Sequence, residues 1–352
     1  MAHMKECPTT AGSPCRLGTE GMYIVTGGAG FIGSNLVHEL NRYGIADILV
    51  VDNFANPNKQ FNLHGAKFTD YMDKREFRRA LKEKALRIPR INAIFHQGAC
   101  SNTLLDDGVY MMDNNFTYSK EILDFALEQN SSLVYASTAA VYGFGGPGRF
   151  SPSFENEKPL NIYGFSKLAF DNYVRHRIEQ ESMPITVVGL RYFNVYGPRE
   201  AHKGRMASVI HHFSKQIRKN QGVRLFEGSG GYENGEQRRD FVFVRDLALL
   251  NLYFAQVGPY SPTKGATCSY QGVVNAGSGQ ARTFNEVARA LMKVHGEAKI
   301  EYVPFPVDLK KRYQHFTEAD LTELRTMGCD LEFTPLEDGV SETFSEESLI
   351  SA

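Results

Sequence analysis

The sequence predicts an α/β protein: a doubly wound parallel sheet with helices on both faces, followed by a smaller mixed α/β lobe. Three observations carry that expectation. From Met22 onward, short β-rich apolar runs alternate with longer helical ones, the pattern of successive βαβ units. A glycine-rich turn, VTGGAGFIGSN, joins the first such run to the first helical one. After Phe193 the alternation breaks into short runs separated by Gly- and Pro-containing stretches.

The elements follow in order. YIVTG reads as a strand, FIGSNLVHELNRYG as a helix and DILVVD as the second strand; after a polar loop come INAIFHQGA, a helical pattern near 110–129, and SLVYAS. A helix over 163–180 precedes PITVVGLRYFNVYG, a strand that ends in a loop. RLFEG, RRDFVFV, GVVNAG and KIEYVPFP read as short strands, with helical patterns near 206–220, 283–295 and 317–327. The expected division is a first domain over 22–193, completed by parts of the C-terminal half, and a lobe over 194–350. GFGGPG at 143–148 reads as a flexible loop. Residues 1–21, which open with MAHM, have no hydrophobic period and read as a tag remnant and extension outside the fold.

A 352-residue chain that is 42% hydrophobic can bury a large core. With 39 basic and 40 acidic side chains it has no global field favouring nucleic acid or an anionic membrane, and no basic stripe or nucleic-acid module stands out. Phosphate binding has to come from local placement, so the expected ligand is a small molecule. No run reaches the roughly 18 apolar residues of a membrane helix, and the first residues lack the apolar centre of a signal peptide; a soluble, cytoplasmic protein is expected. Cys7, Cys15, Cys100, Cys268 and Cys329 are scattered, with no CxxC or Cys/His cluster. They read as free thiols, and neither a disulfide framework nor a metal site is expected.

In VTGGAGFIGSN, Gly27, Gly30 and Gly33 stand between a strand and a helix. Glycine there allows a tight turn and close approach of backbone to a pyrophosphate, and the helix N-terminus offers unpaired N–H groups. The bland alternative is a set of ordinary turn glycines. Asp52, at the end of the second strand, completes a dinucleotide fingerprint of the Rossmann kind. It would bond a ribose 2′-hydroxyl and so favour NAD, yet Asn53, Lys59 and Lys74 lie in the same region and two lysines could receive a 2′-phosphate. On spacing alone, both NAD and NADP stay open.

SLVYASTAAVYG ends a strand with Ser137 and Thr138, and NIYGFSK supplies Tyr163 and Lys167 at i, i+4, one face of a helix. A tyrosine with a pKa of about 10 needs a nearby cation to act as a base near neutrality. Lys167 could supply that field together with a cationic nicotinamide, while the Thr138 hydroxyl would hold the reacting oxygen. A Tyr and a Lys four apart also arise by chance; here they follow the fingerprint and a strand-end hydroxyl.

Together TGGAGFIG, ASTAAVYG and YGFSK resemble the extended short-chain dehydrogenase/reductase superfamily, over nearly all of 22–350. FHQGACSNT, MMDNN, KPLNIYGFSK, RYFNVYGPREAHKGRMASV, LFEGS, RRDFV and RYQHFTEADL narrow the resemblance to the ADP-L-glycero-D-manno-heptose 6-epimerase family, which prepares the heptose of the lipopolysaccharide inner core. The resemblance implies a bound NADP, transient oxidation at C6 of an ADP-heptose, and hydride return to the other face. It makes Tyr163 and Lys203 the two acid/base groups. It implies cofactor contacts from Phe31, Ile32, Asp52, Asn53, Lys59, Lys74, Gln97, Gly98, Ala99, Cys100, Ser101, Asn114, Lys167, Val195 and Lys203. Substrate contacts would come from Asn194, Arg205, His212, Phe226, Glu227, Gly228, Ser229, Arg239 and Tyr313, with Arg239 forking onto the diphosphate. A homo-oligomer is implied as well.

The chain departs from the family's pattern in places. Arg205 stands where a serine is usual, so it either adds a phosphate contact or swings out to solvent; Thr138 replaces a serine but keeps a hydroxyl, Gln97 replaces an acidic residue, and GGYENGEQ within 229–238 is longer than the resemblance implies, which leaves the placement of Arg239 open. Two other readings compete. A related sugar-nucleotide 4-epimerase or 4,6-dehydratase would keep Thr138, Tyr163 and Lys167 but not need Lys203; a dehydratase usually has an acidic residue where Ala139 and Ala140 stand. A non-catalytic dinucleotide-sensing scaffold would have no need of Tyr163 or Lys167.

Overall fold

The computed structural model describes residues 21–146, 148–180, 183–219, 222–260, 269–306 and 313–351, with side chains as far as 346. The N-terminal extension up to residue 20, Pro147 of the 143–148 loop, and Cys7, Cys15 and Cys268 lie outside the described residues.

Parallel strands β1 (Met22–Thr26), β2 (Ile48–Asp52), β3 (Asp70–Asp73), β4 (Ile91–His96), β5 (Ser132–Thr138) and β6 (Val187–Tyr192) alternate with α1 (Phe31–Arg42), α2 (Lys74–Lys82), α3 (Gly108–Met111), α4 (Tyr118–Glu128) and α5 (Ile162–Gln180). The chain continues through β7 (Asn194–Tyr196), α6 (Val209–Arg218), β8 (Val223–Phe226), β9 (Arg238–Phe243), α7 (Val244–Phe254), β10 (Gln271–Ala276), β11 (Ala281–Thr283), α8 (Phe284–His295) and β12 (Ile300–Val303). Helices Thr322–Thr326 and Leu336–Ser351 end it.

The main sheet runs β10-β6-β5-β4-β1-β2-β3. Its pleat sorts side chains into two cores with period two. Tyr23 and Val25 of β1 pack with α1 and α7 through Leu36, Val37, Leu40, Leu247 and Leu250. Ile24, between them, faces α2, α4 and α5 through Phe77, Ile122, Leu123, Phe170 and Val174. Each fully buried aliphatic of this kind contributes about 1.5–3 kcal/mol, so both faces are held firmly. Two small sheets, β11-β9-β7 and β12-β8, build the lobe. A third core, with Ile210 and Phe213 of α6, Leu225 of β8 and Leu291 of α8, joins that lobe to Phe31 at the start of α1.

The structure adds to the expected elements. The helical pattern near 110–129 is broken by a π-turn at Met112–Thr117, and the pattern near 317–327 is helical only over Thr322–Thr326, because the preceding stretch is extended and hydrogen-bonds to β9 through Thr317 and Ala319. β3 and α2 fall in the stretch read as a polar loop: α2 is short and strongly charged, and buries only Phe77. α7 is apolar nearly all round, so no sharp period marks it. Two glycines of the stretch read as a flexible loop are closely packed: a Cβ at Gly143 would lie 2.0 Å from the Lys158 carbonyl oxygen, and one at Gly145 would meet the Phe150 ring, whereas Gly146 and Gly148 face open space.

Candidate active site

β1 leads to β2 on one side while β4 lies on its other side, so a crevice opens at the C-terminal ends of these strands, where ligands bind in such sheets. A cavity of about 900 Å³ fills it and reaches into the lobe.

Its floor is the turn between β1 and α1. Gly27 has φ +68°, and a Cβ there would lie 2.7 Å from the Gly98 nitrogen; one at Gly33 would lie 2.1 Å from the Gly27 carbonyl oxygen. The turn therefore admits only glycine at both positions. Gly30 caps α1 without a side-chain hydrogen bond, which leaves the first N–H groups of the helix facing the cavity as an anion site.

At one end, both oxygens of Asp52 already hold protein donors. Oδ2 accepts from the Ala29 N–H at 2.8 Å, and Oδ1 accepts from the Asn53 N–H at 2.7 Å and from Lys59 Nζ at 2.8 Å. Lys59 sits on a short helical turn, Pro57–Leu63, capped by Asn56. Lys74 donates to Asn114 Oδ1 at 2.7 Å, and burial pushes its pKa down. Asn115, in the π-turn, holds the cofactor-side loop by accepting from the Cys100 N–H and donating to the Cys100 carbonyl, and it also donates to Ser166 Oγ.

Gln97 belongs to a closed ring. Tyr192 donates its hydroxyl to Gln97 Oε1, Gln97 Nε2 donates to Asn251 Oδ1, and Asn251 Nδ2 donates to the Tyr192 oxygen, each at 2.9 Å. An acidic side chain at 97 could not donate to Asn251, which accounts physically for the amide there. Beneath it, His96 lies between Thr26 Oγ1 at 2.7 Å and Ser119 Oγ at 2.9 Å. Ser119 donates to the Asn115 carbonyl and Thr26 accepts from the Gly98 N–H, so the chain runs in one direction and His96 carries its proton on Nε2. Burial drives its pKa down to about 3.

The strand-end hydroxyls divide their work. Ser137 donates to Asp171 at 2.8 Å, in a buried cluster that also neutralises Arg191. Thr138 faces Tyr163 and hydrogen-bonds with it. Burial raises the Tyr163 pKa, and only Thr138 opposes it. The expectation joins Lys167 to a cationic nicotinamide in lowering this phenol; for the protein alone, burial outweighs the Thr138 contribution. Lys167 Nζ donates to the Ala136 carbonyl at 2.9 Å, with burial taking its pKa down to about 8 against the pull of Asp171.

Lys203 enters from the lobe side on the turn Ala201–Met206, where Gly204 has φ +55°. Its Nζ stands 5.2 Å from the centre of the Phe31 ring, a cation–π contact. Burial lowers its pKa and Glu200 opposes the shift.

Arg239, at the start of β9, is 7% exposed. Its guanidinium lies 4.7 Å from the Tyr313 ring centre and donates to the Arg238 carbonyl. Among the described residues it has no carboxylate partner, and burial lowers its pKa, so a cation is held ready for an anion. Asn194, Val195, His212, Phe226 and Tyr313 line the same cavity.

Every residue expected to touch cofactor lines the cavity, as do Thr138, Tyr163, Lys167 and Lys203. Four expected substrate contacts do not line it: Arg205, which is exposed, and Glu227, Gly228 and Ser229. The last three belong to a loop made with GGYENGEQ, anchored outside itself by Val303, His315 and Asn285. In it the Gly228 N–H donates to Asn234 Oδ1, and Gln237 Nε2 donates to the Glu227 carbonyl. The longer segment therefore folds on itself and leaves Arg239 in place. Tyr110, Tyr192, His202, Arg224 and Gln237 line the cavity without having been singled out; Tyr192 and His202 lie within the quoted RYFNVYGPREAHKGRMASV string, while Tyr110, Arg224 and Gln237 fall outside the motifs of the resemblance and are brought in separately. Among the described residues no cluster of His, Cys, Asp and Glu could hold a metal ion, and no helix is long and apolar enough to cross a membrane.

Comparison with known proteins agrees with this geometry. The model of the epimerase family described as "NAD dependent epimerase/dehydratase family" matches residues 23–263. The chain is 52% identical over 319 residues to an ADP-L-glycero-D-manno-heptose-6-epimerase of Alkalilimnicola ehrlichii, across 91% of this chain and 95% of that one. The Helicobacter pylori ADP-L-glycero-D-manno-heptose-6-epimerase superposes with a TM-score of 0.76 at 30% identity, over 94% of this chain and 96% of that one. UDP-glucose 4-epimerase of Thermus thermophilus, solved with NAD, gives a TM-score of 0.70 at 27% identity, over 92% and 98%. On the family model and the identity alike, this chain belongs to the NAD dependent epimerase/dehydratase family.

Proposed function

We propose that the protein converts ADP-D-glycero-D-manno-heptose to its L-glycero epimer at C6, through a transient 6-keto sugar, and so supplies heptose for the lipopolysaccharide core. The observation that carries this reading is the meeting of Tyr163, from α5, and Lys203, from the lobe turn, in one cavity with the glycine turn. Inverting a carbon by oxidation and reduction needs a proton acceptor and donor for each presentation of the hydroxyl. Two groups brought from separate elements meet that need, where a single Tyr/Lys pair would serve one face.

The residues fit a dinucleotide. The glycine turn would take the pyrophosphate, Lys167 the nicotinamide ribose, and Lys59 and Lys74 a 2′-phosphate, with Asp52 already occupied; NADP is therefore the proposed form, and NAD the alternative. When bound, the nicotinamide accepts and returns the hydride. Tyr163 takes the C6 hydroxyl proton in one presentation, with Thr138 holding the oxygen, and Lys203 exchanges the proton in the other. Arg239 would fork onto the substrate diphosphate beside Tyr313 and Phe226, keeping the nucleotide fixed while the sugar turns. The cofactor unit is taken as 22–193 with β10 and α7, and the substrate lobe as most of 194–350, in a cytoplasmic homo-oligomer. Lys203 and the Ala139–Ala140 pair favour this reading over a 4,6-dehydratase.

The test is to incubate the purified protein, alone and with NADP, with ADP-D-glycero-D-manno-heptose and follow C6 by proton NMR. Formation of both epimers supports the assignment. No conversion by protein that holds NADP would move the substrate to another sugar nucleotide.

A further inference from the structure

Glu200 is 1% exposed, yet no Lys, Arg or His nitrogen forms a salt bridge with it among the described residues. A buried carboxylate without an ion-pair partner costs several kcal/mol unless something holds it. Three donors do. Oε1 accepts from the Ser208 hydroxyl at 2.7 Å and from the Gly197 N–H at 3.4 Å, and Oε2 accepts from the Ser208 N–H at 2.5 Å. Gly197 directly follows β7, and Ser208 is the N-cap of α6, its Oγ accepting from the His211 N–H at 3.1 Å. One side chain thus ties together the two ends of the loop that carries Lys203. Inside that loop the Lys203 N–H donates to the Glu200 carbonyl at 2.9 Å.

The electrostatics point the same way. Lys203 is the charged group that acts on Glu200, and Glu200 the one that acts on Lys203. The neighbouring His202 faces Lys59, Lys203 and Asp52, and burial keeps it neutral, with a pKa of about 4. A neutral amide at 200 would turn either an acceptor away from Gly197 and Ser208 Oγ or a donor toward the Ser208 N–H, so the three bonds specify a carboxylate.

We propose that Glu200 is a positioning residue for Lys203: its carboxylate closes the loop that presents this lysine to the cavity, and its negative charge sets how readily the lysine holds its proton. The catalytic consequence rests on Lys203 being the second acid/base group. The coupling itself does not.

The test uses the NADP-loaded protein labelled with ¹³C at lysine Cε, with the Lys203 resonance assigned by its loss in Lys203→Met. Its titration is compared in wild type, Glu200→Gln and Ser208→Ala. Ser208→Ala loosens the loop but keeps the charge, whereas Glu200→Gln removes the charge. Removing one nearby charge is worth about one pH unit, so the Lys203 midpoint is expected to fall by about that much in Glu200→Gln and to stay in place in Ser208→Ala. Equal midpoints in wild type and Glu200→Gln would overturn the proposal. Should Glu200→Gln fail to fold, Glu200→Asp, one methylene shorter, is expected to slow turnover while keeping the midpoint; a lowered midpoint there would equally overturn it. Wild-type turnover by Lys203→Met would instead overturn the acid/base reading, and the titration result would still stand on its own.

Discussion

The Lys203 ammonium lies 5.2 Å from the centre of the Phe31 ring, so the lobe turn reaches the first residue of α1. Phe31 follows the glycine turn directly, and the contact holds Lys203 in the cavity that Tyr163 on α5 also lines. If each serves one presentation of the C6 hydroxyl, the two single variants should be complementary. Lys203→Met and Tyr163→Phe should each lower steady-state epimerisation by at least about 10²-fold. In a single turnover, each should still reduce bound NADP with one epimer and fail with the other, in opposite senses. Stopped-flow absorbance at the reduced-nicotinamide band, with each epimer in turn, reads this directly. Loss of both half-reactions in both variants would contradict the division of labour.

Lys167 is 3% exposed, and burial lowers its pKa from 10.5 to about 8. A lysine with a depressed folded pKa is a penalty on the fold wherever the unfolded chain is protonated. The native state binds fewer protons than the unfolded one between about pH 8 and 10.5, so stability rises with pH across that window. The penalty is fully present below pH 8 and amounts to about 3 kcal/mol. Lys167→Met should therefore gain stability relative to wild type at pH 7, less the lost bond to the Ala136 carbonyl. That relative gain should shrink steadily between pH 8 and 10.5. Urea midpoints at pH 7 and pH 10 for both proteins decide it; a constant difference would mean that Lys167 titrates as an exposed lysine.

How far sequence reasoning reached is set by how local each feature is. Gly27, Gly33 and Asp52 belong to one βαβ unit, and Tyr163 and Lys167 to one helical turn, so short-range spacing carries them. Lys203 could be found only through resemblance, because Phe31 reaches it through the fold and Glu200, three residues before it, carries no signature of its own. For Arg205, in the same string, sequence left both a phosphate contact and a swing to solvent open; the positive φ of Gly204 turns the chain so that Lys203 is half-buried and Arg205 is exposed. Glu227 to Ser229 lie off the cavity for a different reason: the inserted turn bonds the Gly228 N–H and the Glu227 carbonyl, while the Glu227 N–H donates to Val303 and Ser229 Oγ meets His315. Gln237 lies outside the motifs of the resemblance, since what recruits it is the shape of the crevice.

The Gln97–Tyr192–Asn251 ring makes a sharp demand on amide chemistry. Gln97→Glu keeps the acceptor for Tyr192 but leaves Asn251 Oδ1 facing a carboxylate in place of a donor. Loss of one such partnered group, with repulsion in its stead, costs about 1–3 kcal/mol. Because Gln97 begins the loop that approaches Gly27, the same change should weaken NADP binding as well as lower the melting temperature. Gln97→Glu together with Asn251→Asp should not rescue it, since both would then be acceptors; thermal melts with and without NADP measure both effects. A melting temperature equal to wild type would show that the ring is dispensable.

Lys59 and Lys74 stand at the same end of the cavity but are not equivalent. Lys59 pairs with Asp52 at 2.8 Å, whereas Lys74 is bonded only to the neutral amide of Asn114 at 2.7 Å. Removing Lys74 deletes one cation that a 2′-phosphate could use. Removing Lys59 deletes a cation and also leaves the Asp52 carboxylate uncompensated beside that phosphate. Charge-assisted bonds are worth about 1.5–3 kcal/mol, so Lys74→Ala should weaken NADP about 10- to 100-fold, and Lys59→Ala should weaken it more. NAD, which presents a hydroxyl to Asp52, should lose little in Lys74→Ala and hold its affinity or gain in Lys59→Ala. Fluorescence titration of both dinucleotides against the three proteins gives the four ratios needed. Parallel losses of NAD and NADP in both variants would show that neither lysine reads the 2′ position, and the choice of NADP would then have to come from elsewhere in the cavity.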